Sequence, residues 1–302
     1  MSAKRCAAFA LAIAAAAALA APPRGVMFDD FDYADADAAR RAGWVLREAP
    51  GHPGVPGAQW SPNALSWIAD LARPGNRLLR LTASTDGTPA GTQQAQLCHS
   101  RKYLRGTYAA RVRFSDAPVA GLDGDPVIQT FYAVAPLRRD YDPEFSEIDW
   151  EYLPNGGWGS DRTRLYGISW QTVRIEPWDA VNQAHEEFGS AEGWHVLVMQ
   201  VDAARTRHYL DGRLLAEHGG RYVPAVPMAI AFSLWFSPSG LLPPDGTPRV
   251  YQQDVDWVFH AAGRQLTPAQ VQAEVRRLRA RRLGHVDTVP PQVPPLASPC
   301  DF

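Results

Sequence analysis

Glu147, Asp149 and Glu151 stand at alternate positions in the run Glu147-Ile148-Asp149-Trp150-Glu151. Side chains of an extended strand alternate with a period of two, so the three carboxyls share one face and Ile148, Trp150 and Tyr152 take the other. Three acids in a row repel one another, and at least one of them is expected to hold a proton near neutral pH. Such crowding costs stability and is tolerated mainly where chemistry uses it. The Cα atoms of Glu147 and Glu151 lie about 13 Å apart at ~3.3 Å per residue. Side chains leaning inward bring their carboxyls toward the ~5–5.5 Å separation of a carboxylate pair that cleaves a glycosidic bond with retention. The alternative is an edge strand with a solvated acidic face.

The elements around this run read as strands. Alternating or apolar segments occur at 27–31, 77–82, 94–98, 106–114, 127–134, 164–171, 194–201, 206–210, 213–215, 228–236 and 255–259. Turn residues separate them, with Asp211-Gly212 closing a hairpin. Short strands in series, with no helical period before residue 266, predict an all-β sandwich of antiparallel sheets. One helix follows. Thr267 is its N-cap, Pro268 its first residue and Gln270 completes a capping box; Val271, Val275 and Leu278 form its apolar stripe. Five arginines between 276 and 282 crowd its end. They read either as a solvated face that suits the helix C-terminus or as a patch for an acidic polymer. A Pro-rich tail follows at 290–299.

The 302 residues carry 30 basic and 32 acidic side chains, a balance that gives nucleic acid no electrostatic footprint. Residues 1–21 have the form of a secretory signal: Lys4 and Arg5, an Ala-rich apolar run, then Ala18-Leu19-Ala20 before Ala21-Pro22. The division expected is 1–21 signal peptide, 22–262 one all-β domain and 263–302 C-terminal helix and tail. Export, to the extracellular space or the periplasm, leaves Cys98 and Cys300 in an oxidising compartment, where one disulfide is expected. No later segment is apolar enough to span a bilayer, so no membrane association is expected after cleavage.

Taken in order, these segments resemble glycoside hydrolase family 16, the jelly-roll β-glucanases, over residues 27–260. Phe28-Asp29-Asp30-Phe31 resembles the family's opening strand, and Gly106-Thr107-Tyr108-Ala109-Ala110-Arg111 its Tyr-Gly-x-Tyr-Glu-Ala-Arg strand, with Ala109 in place of the usual Glu. Ser146-Glu147-Ile148-Asp149-Trp150-Glu151-Tyr152-Leu153 is similar to its catalytic strand. Gly193-Trp194-His195, Tyr209-Leu210-Asp211-Gly212, Pro227-Met228, Ser233-Leu234-Trp235 and Val255-Asp256-Trp257-Val258 match further family segments in the same order.

The resemblance implies a β-jelly-roll of two curved antiparallel sheets whose concave face forms an open cleft for a glycan, followed here by the helix and tail. It implies Glu147 as nucleophile, Glu151 as acid/base and Asp149 as the residue that sets their protonation. A single residue between Asp149 and Glu151 looks like the unbulged lichenase and xyloglucan-active members. Trp150 replaces a smaller apolar residue and Ser233 a common Asn, so the polysaccharide stays open. Tyr132, Trp170 and Trp235 on flanking strands, Phe145 beside the motif, and Trp60 and Asn63 in a loop are candidates for substrate binding; Trp150, Trp194 and Trp257 are assigned to the core. The family admits a structural calcium, but no dense Asp/Asn loop demands one, and no other cofactor or metal is expected. The expected partner is a polysaccharide, acted on by a monomeric, secreted, retaining endo-β-glycanase. A glycan-binding jelly roll without catalysis and a transglycosylase are the alternatives.

Overall fold

The computed structural model describes residues 23–297 and Cys300. The expected signal peptide lies outside the described residues. In chain order the strands are β1 (Val26–Asp29), β2 (Val45–Leu46), β3 (Gln59–Trp60), β4 (Leu65–Ala69), β5 (Arg77–Thr85), β6 (Gln93–Cys98), β7 (Gly106–Phe114), β8 (Val127–Val134) and β9 (Glu147–Leu153). They continue with β10 (Arg164–Arg174), β11 (Asp179–Phe188), β12 (Gly193–Val201), β13 (Arg205–Leu210), β14 (Arg213–Gly219), β15 (Ala229–Phe236), β16 (Arg249–Ala262) and β17 (His285–Asp287). Two α-helices, α1 (Ala36–Arg41) and α2 (Pro268–Ala280), complete the regular elements.

The expected sandwich of antiparallel sheets is present. One sheet runs β2-β6-β15-β8-β9-β10-β11 with antiparallel neighbours, and the two-residue β3 pairs parallel with β6 beside β2. The other runs β14-β13-β12-β7-β16, and β16 then shares its outer edge between β5–β4 and β1–β17. A single residue pair, Ser84 with Gln93, links β5 to β6 and joins the two sheets. The core lies between them. Ile148, Trp150 and Tyr152 of β9 and Phe131 of β8 meet Tyr108, Val112, Leu197 and Val255 from the facing sheet. All are fully buried, as alternation predicts for strands with one face inward.

Helix α2 forms as its sequence dictates. Thr267 accepts from the Gln270 amide while the Gln270 side chain takes the Thr267 amide, and Pro268 fills a position whose N–H needs no partner. Val271, Val275 and Leu278 pack on the outer face of the second sheet against Phe28, Trp257 and Phe259. The segment beyond the helix is more than an extended tail. It adds β17 to the edge of that sheet, and Cys300 bonds Cys98 of β6, as expected for the pair.

Helix α1 and strands β4 and β11 are additions to the sequence reading. Helix α1 is only six residues long, capped by the Asp35 carboxylate, and too short to display a helical period. Trp194 departs from its assignment to the core. It stays half-buried on the outer face of the second sheet, with the Arg111 guanidinium 4.1 Å from its ring centre, whereas Trp150 and Trp257 are buried.

Candidate active site

Strand β9 sits in the interior of its sheet, hydrogen-bonded to β8 on one side and β10 on the other with continuous register. Its acidic face is therefore a sheet surface and not an edge. The unbulged spacing holds, since no register shift interrupts the strand. Register fixes the neighbours: Glu147 between Val134 and Trp170, Asp149 between Tyr132 and Ile168, Glu151 between Thr130 and Tyr166. Directly opposed side chains on one face have Cβ atoms about 5 Å apart, so these residues form one continuous floor. Beneath it Trp150 stacks edge-on against His208 of the facing sheet, 5.4 Å between ring centres. Gly167, paired with Trp150, makes room: a Cβ there would lie 3.2 Å from the His208 ring. Beside the site, a bulge in β10 between Trp170 and Thr172 turns the strand, a device common near functional surfaces.

The floor belongs to a cleft of about 650 Å3 that Glu147, Asp149 and Glu151 all line. Glu147 is 7% exposed and Asp149 1%, while Glu151 is half-buried. Burial pushes all three carboxyls up. For Glu147 the charges of Asp149 and Glu151 add to burial, and for Asp149 the charge of Glu151 adds. Glu151 is pushed up to about 7 by burial, with a hydrogen bond from Trp158 opposing. The indole N–H of Trp170 donates to Asp149 Oδ2 at 3.0 Å. Glu147 and Asp149 also share a hydrogen bond that raises Glu147 and lowers Asp149, so the proton between them rests on Glu147 and Asp149 accepts it. The cluster thus holds fewer negative charges than carboxyls at neutral pH, and its protons are shared.

Of the nine site residues anticipated, the structure brings six into the cleft: the three acids, Tyr132, Trp170 and Trp235. Trp60 is not in the lining. It is 4% exposed, in one buried cluster with Ile128, Leu153 and Trp235, and its indole donates to the Gly51 carbonyl. Asn63 lies exposed in a 3-10 turn, Pro62–Ala64, outside the lining. Phe145 precedes the first residue of β9, and its ring is 1% exposed in a cluster with Tyr132, Val134 and Cys98, also outside the lining.

The lining holds residues that the sequence did not mark. Gln96 donates its amide to the Tyr132 hydroxyl, and Ser233 and Thr130 place their hydroxyls 2.7 Å apart on the floor. Trp158, at φ 50° in a Gly-Gly-Trp-Gly turn, packs 5.9 Å from Trp235. A bulky side chain in that backbone region is uncommon, and the strain accompanies an exposed indole at the cleft mouth. Among the described residues no Lys or Arg lines the cleft. Among the described residues no cluster of His, Cys, Asp and Glu is arranged to hold a metal ion, and no helix is long and apolar enough to cross a membrane.

Comparison with solved structures assigns the fold. The Bacillus licheniformis β-glucanase superposes with a TM-score of 0.55 at 18% identity, over 78% of this chain and 98% of that one. A glycoside hydrolase family 16 endo-glucanase from Bacteroides ovatus gives 0.56 at 13%, over 76% and 98%. The κ-carrageenase from Pseudoalteromonas carrageenovora gives 0.50 at 15%, over 81% and 97%. No protein-family model and no curated protein matches the sequence. The architecture is the jelly roll of family 16, as the strand motifs implied.

Proposed function

We propose that this protein is a secreted glycoside hydrolase that cleaves β-glycosidic bonds of an uncharged polysaccharide, a β-glucan or xyloglucan, with retention of configuration. One observation carries the reading. Three carboxyls, two of them buried, alternate on an interior strand, at the floor of an aromatic cleft where the described residues place no Lys or Arg to neutralise them.

In the first step the Glu147 carboxylate attacks the anomeric carbon and forms an ester bond to it. Glu151 gives its proton to the departing glycosidic oxygen, so the leaving sugar departs as an alcohol. A carboxyl pushed up to about 7 still holds that proton near neutrality. In the second step Glu151 takes a proton from water, the oxygen attacks the anomeric carbon and Glu147 leaves. The ester removes a negative neighbour, which favours the ionised, basic form of Glu151. Asp149, which accepts the hydrogen bond from Glu147, takes that proton over as Glu147 attacks, so the nucleophile becomes charged without a second charge beside it.

Neutral substrates follow from charge. Sulfated or uronic chains would bring negative groups to a carboxylate-lined floor without arginine or lysine, a like-charge approach that costs binding. Trp170 and Trp235 present indoles to sugar faces. The Cys98–Cys300 bridge suits an oxidising compartment and supports export.

Azide can replace either a missing nucleophile or a missing base. Glu147→Ala with azide should yield a product of inverted configuration. Glu151→Ala with azide, on an activated aryl glycoside that needs no acid, should yield a retained β-glycosyl azide. Asp149→Asn should slow the reaction without altering stereochemistry. Exchanged configurations would reverse the assignment, and glycan binding without cleavage by the unmutated protein would leave a lectin.

A further inference from the structure

The sheet that carries the acids has β2 and β3 at one edge and β11 at the other. Residues 47–54 leave the β2 edge, and residues 174–179 form the turn between β10 and β11. Yet His52 and Trp178 meet, with ring centres 5.9 Å apart and planes inclined by 32°. Between β6, on which the first segment rests, and β10, which carries the second, lie β15, β8 and β9. The contact spans the width of those three strands on the side of the sheet that holds the three carboxyls. Both residues line the same cleft as the acids.

Each side of this bridge is braced. Arg47, 2% exposed, lies 4.2 Å above the Trp60 ring centre and donates to the Ala49 carbonyl at 2.9 Å, the His52 carbonyl at 3.1 Å and Gln96 Oε1 at 2.7 Å. A guanidinium offers a rigid fork of donors, so these bonds fix the arm's path from floor to rim. On the other side the Tyr141 hydroxyl donates to Asp179 Oδ2 at 2.5 Å, and the Ile175 amide to Asp140 Oδ1 at 3.2 Å. Trp178 also stands edge-on to Trp170, 6.1 Å between centres, and Trp170 is the donor to Asp149.

We infer that His52 and Trp178 form a strap that roofs the cleft, so that a glycan reaches the carboxyls by passing its end beneath the strap and is cut from an end, not at internal bonds taken from above. This inference rests on the glycoside hydrolase reading and departs from the open cleft and internal cleavage that the family resemblance implies. His52 and Trp178 then decide which polymers are accepted, while the acids decide what is done to them.

The test compares a linear β-glucan with a cyclised β-glucan of the same linkage, which has no end. Binding is read by tryptophan fluorescence in Glu147→Gln, and cleavage by viscosity against new reducing ends in the unmutated protein. The expected result is binding and cleavage of the linear chain alone, with reducing ends appearing while viscosity persists. Removing both rings, His52→Gly with Trp178→Gly, should admit the cyclic glucan and raise the viscosity loss per bond cut several-fold. Equal use of both glucans by the unmutated protein, or an early collapse of viscosity, overturns the strap and leaves the hydrolase reading intact. Binding of the linear chain alone, with no cleavage of either glucan, keeps the strap and overturns the hydrolase reading.

Discussion

Buried carboxyls occur on both sheets of this protein, and the two sheets treat them in opposite ways. On the second sheet Asp256 sits at a bulge of β16, 0% exposed. It receives Asn76, Arg111 and Arg279 at 2.9–3.0 Å and pairs with Arg73 at 2.5 Å. Burial alone would raise it, but hydrogen bonds from Arg279 and Arg73 win and hold it down at about 2. Asp125 lies against Arg249 with bonds of 2.6 and 3.0 Å, both side chains 0% exposed. In the cleft, Glu147, Asp149 and Glu151 are pushed up with no guanidinium in the lining. The chain sets arginines against Asp256 and Asp125, and none against the three acids of the cleft. An arginine against Glu151 would depress its proton affinity and leave it no acid to donate.

Exchanging acids for amides should therefore separate activity from stability. Glu151→Gln removes the proton donor and should cut kcat on an unactivated glycan by about 10²–10⁴-fold. Glu147→Gln removes the nucleophile and should lose at least as much. Near pH 8 both variants should melt above the parent, because each deletes a charge that burial disfavours. Turnover and melting midpoint on the same preparations check this. A variant that lost stability together with activity would place the acids among the structural pairs.

The second sheet predicts the reverse. Arg249→Met leaves Asp125 charged in a site closed to water, and breaking a fully buried pair costs about 3–5 kcal/mol. The denaturant midpoint should fall, while kcat of the protein still folded stays near that of the parent. A loss of turnover with an unchanged midpoint would tie Asp125 and Arg249 to the chemistry instead.

Sequence pattern reaches one of these two arrangements more easily than the other. Period-two alternation in a single strand placed three acids on one face and Trp150 on the other, and β9 obeys it. Alternation says which face a side chain takes, but not what later covers it. Phe145 and Trp60 are covered by neighbouring segments, and Trp194 stays on the outer face of its sheet against Arg111. Trp158 and Trp178 project from turns, where no period exists to mark them. Strand β11 is mostly polar and exposed, and its register comes from β10 rather than from a pattern of its own. The arginines near the end of α2 read as a solvated face or a polymer patch. One of them, Arg279, instead reaches Asp256 from 23 residues away, and Arg277 pairs within the helix with Glu274. Ion pairs between distant segments have no local signal, which is why the acids of the second sheet stayed unread while those of the cleft stood out.

The smallest expected effect is in the pH dependence of stability, and its sign differs between the two sheets. Glu151 titrates near 4.5 in a free chain and is pushed up to about 7 in the folded protein. Between those values the folded state keeps a proton that the unfolded state has released. The contribution is fully present below about 4.5 and is lost as pH rises through about 7. Glu147 and Asp149 shift in the same direction and add to it. Asp256 is the opposite case, 3.8 in a free chain and about 2 when folded, so its contribution is present above 3.8 and is lost as pH falls through about 2. The Glu147→Gln/Glu151→Gln double variant should therefore flatten the decline in melting midpoint between roughly pH 5 and 8, by a few degrees, and leave the acid limb alone. Asp256→Asn should lower the midpoint at neutral pH and shorten the fall below roughly pH 4, with the alkaline slope unchanged. Melting curves taken across that range test both limbs at once. An alkaline slope identical in parent and double variant would mean that the cleft acids ionise freely in the folded protein, and would remove the contrast between the two sheets.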